Sequence, residues 1–223
     1  MQKFDTPTPI SAVLDIPAGR IQFIAADRTD TRVEVLPANA SKGRDVKAAE
    51  QATVVYRDGV LRIEAPAAKN QYFGPSGCIE VTVQLPAGSS IDAKSSCAEF
   101  RGVGRLGDVA CEGAYGPVKI DEAASVRLAA HVGDVSVGRL TGPAEISTQK
   151  GDIHIAEASS GTVVLSTQVG DVTVGAARGV SASLDAGTGY GRIHNALKNT
   201  DGAAAGLNIH ATTTHGDIAA RSL

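Results

Sequence analysis

Tryptophan is absent from the 223-residue chain, methionine occurs once, and the only aromatic residues are four Tyr and four Phe. A core built without rings must rely on Val, Ile, Leu and Ala, which suit narrow spaces. Stacking platforms for nucleobases are equally scarce, and 21 basic against 24 acidic side chains leave no electrostatic footprint for a polyanion. No nucleic-acid partner is expected. Long apolar runs are missing as well: Gly, Asp or Arg breaks each hydrophobic segment within about six positions, where a membrane span needs roughly 18. Residues 1–9 contain Lys3, Phe4, Pro7 and Pro9 and no apolar stretch of signal-peptide length. The expected location is cytoplasmic, with no membrane span. Cys78, Cys97 and Cys111 are odd in number and form no C-x-x-C pair, which favours reduced structural thiols over a disulfide framework or a zinc site.

Glycine, by contrast, is abundant, with 25 residues and no collagen period, as expected of an ordered fold with many turns. Much of it is periodic. Gly133-Asp134-Val135-Ser136-Val137, Gly151-Asp152-Ile153-His154-Ile155 and Gly170-Asp171-Val172-Thr173-Val174 share one pattern, and Gly216-Asp217-Ile218 repeats it. Weaker copies begin at Ala98, Gly116 and Gly191, so successive anchors lie 18, 17, 18, 19, 21 and 25 residues apart. Seven residues before each anchor stand Ile91, Val109, Val126, Ala144, Val163, Leu184 and Ile209; five before stand Ala93, Cys111, Leu128, Ile146, Leu165, Ala186 and Ala211. Three before, the column turns small or hydroxylated: Ser95, Gly113, Ala130, Thr148, Thr167, Thr188 and Thr213.

Apolar residues alternate on both sides of each anchor, which is the period of a half-buried strand. Each unit of about 18 residues therefore reads as one coil, strand to tight turn to strand, that buries its apolar face only by stacking on its neighbours. The expected fold is all-β: a right-handed parallel β-solenoid, or β-roll, of about seven coils with an N-terminal antiparallel β portion. Residues 1–88 form the expected N-terminal β-strand cap region and 89–223 the β-solenoid repeats, the two as parts of one continuous domain. In the first part, Arg20 to Ala25, Thr31 to Leu36, Thr53 to Arg57 and Val60 to Ala65 are strand candidates, Arg57-Asp58-Gly59 a hairpin turn, and Asp45 to Gln51 the one helical piece. The stretch Lys69 to Gly77, with Tyr72 and Phe73, reads as a loop, as does the insertion Asn195 to Ala205.

An N-terminal strand set, a strand ending Leu85-Pro86-Ala87-Gly88 and iterated Ser/Thr-x-x-Gly-Asp-Val/Ile-x-Val units resemble the bacterial β-strand-repeat proteins of domain-of-unknown-function family 4097, often labelled putative adhesins. The resemblance runs from about Ile10 to Ala220. It implies a fold rather than an activity, brings no catalytic residues, and makes binding of a protein partner the natural role.

Asp134, Asp152 and Asp171 would stand on consecutive rungs about 5 Å apart, and such a ladder could in principle hold Ca²⁺, which takes six to eight oxygens. Turn-capping is the favoured reading, because the Gly-Gly-x-Gly-x-Asp density of calcium rolls is missing. His154 and His194 share a column but with the Thr173 rung between them, too far apart for one zinc ion. His131, His210 and His215 fall in other columns. No Ser or Cys nucleophile aligns with a His and an acid, and Tyr56, Tyr72, Tyr115 and Tyr190 are scattered. The expectation is thus no enzyme, no catalytic residue, no metal and no cofactor, in a scaffold or protein-interaction module. Its alternatives are a self-assembling, bactofilin-like structural protein, as a homo-oligomer through the C-terminal solenoid edge at Leu207 to Ala220, and a carbohydrate-active β-helix enzyme.

Overall fold

Glycine-anchored turns and alternating aliphatic strands do produce stacked coils in the computed structural model, which describes residues 1–65, 77–95 and 98–223. The greater part of the loop 69–77, with Tyr72 and Phe73, lies outside the described residues, as does Cys97. The chain packs as two units, Met1–Gly116 and Pro117–Leu223. It is an all-β, mostly parallel β-solenoid in which one short helix interrupts the strands.

The first unit contains β1 (Gln2–Asp5), β2 (Ser11–Ile16), β3 (Gly19–Ala26), β4 (Asp30–Pro37), α1 (Gly43–Gln51), β5 (Thr53–Arg57), β6 (Val60–Glu64), β7 (Ile79–Pro86), β8 (Ser90–Ser95) and β9 (Ala98–Ala114). One layer runs β5-β6-β2-β8 and ends on the second half of β9; the other runs β1-β4-β7-β3 and ends on its first half. Antiparallel pairing is confined to β1, β4 and β5 at one side of the unit. Strands β2 and β3 depart from the antiparallel expectation, because they form a coil whose flanks are the parallel strands β6 and β8 and the parallel strands β7 and β9. The hairpin between β5 and β6 turns through Asp58 at φ 51° and Gly59 at φ 78°, left-handed values that suit Asp-Gly. Buried Phe23 and Phe100 meet between the layers with ring centroids 5.8 Å apart. Helix α1 packs on β4 and β7, and its buried Asp45 accepts the Cys78 N–H at 3.1 Å.

The second unit holds β10 (Val118–Val132), β11 (Val135–Leu140), β12 (Ala144–Lys150), β13 (Ile153–Ala158), β14 (Gly161–Val169), β15 (Val172–Ala176), β16 (Ala182–Tyr190), β17 (Ile193–Ala196), β18 (Leu207–His215) and β19 (Ile218–Ser222), all parallel within their layers. The columns read from the repeat are the observed register: Val126 pairs with Ala144, Ala144 with Val163, and Val163 with Ile209. On the other layer Val118, Val135, Ile153, Val172 and Ile218 stand in line. All of these are buried and form the continuous aliphatic core. Stacking order, however, is not sequence order. Strand β18 lies between β14 and β16, and β19 between β15 and β17.

That inversion explains the longest repeat interval. To return inside the outermost coil, β16 and β17, the chain needs the extra residues between β17 and β18, which include a 3-10 turn at Gly202–Ala204. The Ser181 hydroxyl fastens this crossover by accepting the Thr200 and Asp201 N–H groups, both at 3.1 Å. The expected edge at Leu207 to Ala220 is therefore interior, and the exposed edge of this unit belongs to β16 and β17 instead.

Candidate functional site

The turns between paired strands of the second unit form a ladder, and its glycines are there for contact. A Cβ built on Gly151 would lie 2.2 Å from the Gly133 carbonyl oxygen, one on Gly170 2.1 Å from that of Gly151, and one on Gly216 2.0 Å from that of Gly170. No side chain fits such an approach. The Thr column serves the same turns: Thr167 donates to the Gly151 carbonyl at 3.1 Å, Thr213 to Gly170 at 3.0 Å and Thr188 to Gly216 at 3.0 Å. Each hydroxyl therefore ties its strand to the adjacent rung.

Aspartates after the glycines complete the joint. Oδ1 of Asp134 accepts the Asp152 N–H at 3.0 Å, Asp152 accepts that of Asp171 at 2.8 Å, and Asp171 accepts that of Asp217 at 2.7 Å. Asp217 accepts the Arg192 N–H at 2.8 Å and also the Arg192 guanidinium at 3.0 Å. These bonds to the Arg192 backbone and side chain hold the Asp217 carboxyl below its ordinary range. The Gly-Asp repeat places the carboxylates at the turns, and each reaches across to the next rung. Asp217, at the end of the column, thus adds an ion pair to the backbone bond that all four carboxylates accept.

The histidines do not converge. Two rungs, carrying Thr173 and Ala219, separate His154 from His194, where sequence order suggested one, because β19 intervenes. His210 lies 3.3 Å from Asp185, and His215 stacks on Tyr190 with ring centroids 5.0 Å apart. Among the described residues no group of three or more His, Cys, Asp or Glu is placed to hold a metal ion. Cys111 is buried, and desolvation, reinforced by Glu112 and Asp92, pushes its thiol pKa up to about 12. It has none of the character of a nucleophile.

A further surface lies immediately before the glycines. Val132, Lys150, Val169, His215 and Tyr190 pair in line across β10, β12, β14, β18 and β16. All are exposed, Tyr190 by 73%. Reading the repeat at the position before each anchor would have shown this ridge of apolar, aromatic and basic residues. It runs alongside the aspartate ladder.

The Toastrack DUF4097 family model matches residues 14–222. The chain belongs to that family. Among solved structures, this Toastrack chain is similar to a putative adhesin from Bacteroides fragilis, at 16% identity and TM-score 0.47 over 98% of this chain and 95% of the other. It is also similar to a putative lipid binding protein from Parabacteroides distasonis, at 11% identity and TM-score 0.48 over 98% and 95%. A putative cell adhesion protein from Clostridium sporogenes gives 13% identity and TM-score 0.42 over 100% and 98%. At these values none of them assigns a role. The curated proteins contain no match. Among the described residues no helix is long and apolar enough to cross a membrane.

Proposed function

We propose that this Toastrack protein is a non-catalytic interaction module that engages a protein partner along the ridge Val132, Lys150, Val169, His215 and Tyr190. The observation that carries the reading is the division of labour at the turns. The carboxylates and the threonine hydroxyls are used in joining rungs, whereas the residues next to them stand exposed in a straight row. A row spaced by about 4.8 Å presents alternating apolar and basic side chains as a ruler for an extended partner surface. Aromatic anchors such as Tyr190 are enriched at the centres of protein interfaces.

The test compares capture by the full chain with capture by the double variant Val169→Asp, Tyr190→Asp, using extract of the native organism and mass spectrometry. A reproducible partner lost in the variant, with an unchanged melting temperature, supports the reading. An identical set of captured proteins for both chains contradicts it.

A second reading, self-assembly, is favoured by the outermost coil. Strand β16 pairs only with β18 and β17 only with β19 among the described residues, and all four residues of β17 are exposed. A long edge with little charge invites pairing with another copy. Light scattering and negative-stain microscopy would show concentration-dependent oligomers that Gly187→Lys removes; a monodisperse monomer at all concentrations would exclude it.

A further inference from the structure

Val132, Lys150, Val169, His215 and Tyr190 follow one another from rung to rung of the second unit, about 4.8 Å apart. Basic residues hold the second and fourth rungs, so the apolar members Val132, Val169 and Tyr190 stand two rungs apart, a spacing of about 9.6 Å. A polyproline II helix turns once in three residues and about 9.3 Å, so its side chains at i, i+3 and i+6 stay within about 0.6 Å of that series from Val132 to Tyr190. Other conformations fall out of step. An α-helix, with a pitch of about 5.4 Å against a rung of about 4.8 Å, drifts by about 2.4 Å over the same four steps. An extended strand shows one face about every 6.8 Å, which matches neither one rung nor two.

The residues flanking the ridge add charge and hydrogen-bonding groups. After it in each turn come Asp134, Asp152, Asp171 and Asp217, which outnumber the cations Lys150 and Arg192 of the two columns. The strip is therefore acidic and favours a basic partner. The joints between rungs engage Oδ1 of Asp134, Asp152 and Asp171, all three exposed. An ionised carboxylate keeps a second oxygen to offer. Before the ridge stand Gln149 and Gln168, also exposed, whose amides can donate to a carbonyl. A polyproline II backbone makes no internal hydrogen bonds and so presents its carbonyls to such donors. At the outer coil the Tyr190 ring, stacked on His215 with centroids 5.0 Å apart, gives the aromatic surface on which proline rings pack.

We infer that the ridge docks a proline-rich, basic segment of its protein partner as a polyproline II helix lying along the row. Its residues i, i+3 and i+6 rest on Val132, Val169 and Tyr190, and Arg or Lys between them meets the aspartates. This rests on the ridge being the partner surface and adds the partner's conformation and charge.

The experiment is an amide NMR titration of the full isotope-labelled chain with three synthetic peptides. One repeats Pro-Pro-Arg; one repeats Gly-Gly-Arg, which keeps the charge and loses the stiffness; one repeats Pro-Pro-Glu, which keeps the stiffness and reverses the charge. Expected is a saturable shift of the Lys150, Val169 and Tyr190 amides by Pro-Pro-Arg, about tenfold weaker binding of Gly-Gly-Arg, and none of Pro-Pro-Glu. Tyr190→Ala should weaken Pro-Pro-Arg about tenfold with the melting temperature unchanged. Asp152→Asn, which keeps an acceptor oxygen for the Asp171 N–H, should weaken it about threefold. The inference is overturned if Pro-Pro-Arg leaves those amides unmoved, or if either control peptide binds as tightly. A partner captured by the full chain and lost in the double variant Val169→Asp, Tyr190→Asp, while Pro-Pro-Arg fails to bind, removes this inference and leaves the ridge reading standing.

Discussion

The two units build similar layers from similar strands, yet their turns differ. In the second unit glycine and aspartate recur at fixed positions and join rung to rung, and Thr167, Thr188 and Thr213 add bonds to a neighbouring turn, whereas Thr148 bonds the Lys150 carbonyl of its own strand. In the first unit β2 reaches β3 through Pro17 and Ala18, and the column that holds Ala130 and then threonines in the second unit holds Ser95 and Gly113. The regular unit uses its polar side chains internally. The irregular one leaves the buried Ser95 hydroxyl, alone among the described residues, without a partner, and a recess at the ends of β6, β2, β8 and β9. Repetition thus closes a solenoid, and departures from it leave a recess.

The sharpest way to break this comparison is to insert a methyl group between rungs. Gly170→Ala puts a Cβ about 2 Å from the Gly151 carbonyl oxygen and should cost about 3 kcal/mol or more in a denaturant titration. Gly179→Ala is the control. It also has a left-handed φ, +78°, but nothing lies within 4 Å of the added atom, so about 1–2 kcal/mol of backbone strain is expected. Equal losses would mean that close rung contact is not what the anchor glycines provide.

A smaller effect should follow from the aspartates. Asp171→Ala removes the acceptor of the Asp217 N–H, and at this exposed site a loss of about 1 kcal/mol is expected, while Asp171→Asn, which keeps an acceptor oxygen, should lose less. Stability curves for the two variants that coincide would contradict the proposed joint.

Each unit also holds a carboxylate whose pKa lies below its ordinary value. In the first unit Asp30 lies 2.7 Å from Arg28, 3.0 Å from Arg32 and 3.5 Å from Lys3. The hydrogen bond from Arg28, followed by that from Arg32, lowers its pKa from 3.8 to about 2. A carboxylate whose folded pKa is depressed contributes stability that is present above the ordinary value and is lost as pH falls through the folded one. Between pH 3.8 and about 2, therefore, Asp30→Asn should flatten part of the acid-induced loss. In the second unit Asp217 has the same sign, with loss beginning below the ordinary Asp range, and Arg192→Ala should shift its titration upward. NMR titration of each carboxyl carbon checks both directions.

The coils were readable because every column repeats. Val126, Ala144, Val163 and Ile209 carry the same pattern and pair as that pattern requires. Their order was not readable, since Ile209 fits beside Val163 or Leu184 equally well, and only the lengthened interval around Asn195 to Ala205 hints at a crossover. At the other end, short connections correctly indicate antiparallel pairing for β5 with β6. They misdirect for β2 and β3, whose neighbours β6 and β7 arrive from much later in the chain. The aspartate column was visible as a candidate site; its bonds across rungs depend on turn geometry that no spacing encodes. Ser95 was visible only as a small residue, because the lack of a partner depends on what the neighbouring strands bring to it.

The aspartate column joins rungs through backbone N–H groups, and we propose that it takes up no metal cation. The direct measurement is the melting temperature of the full chain with and without millimolar Ca²⁺ at constant ionic strength. An unchanged melting temperature is expected, since a ligand that does not bind the folded state cannot stabilise it. A rise with Ca²⁺ that disappears in Asp152→Asn would contradict the account.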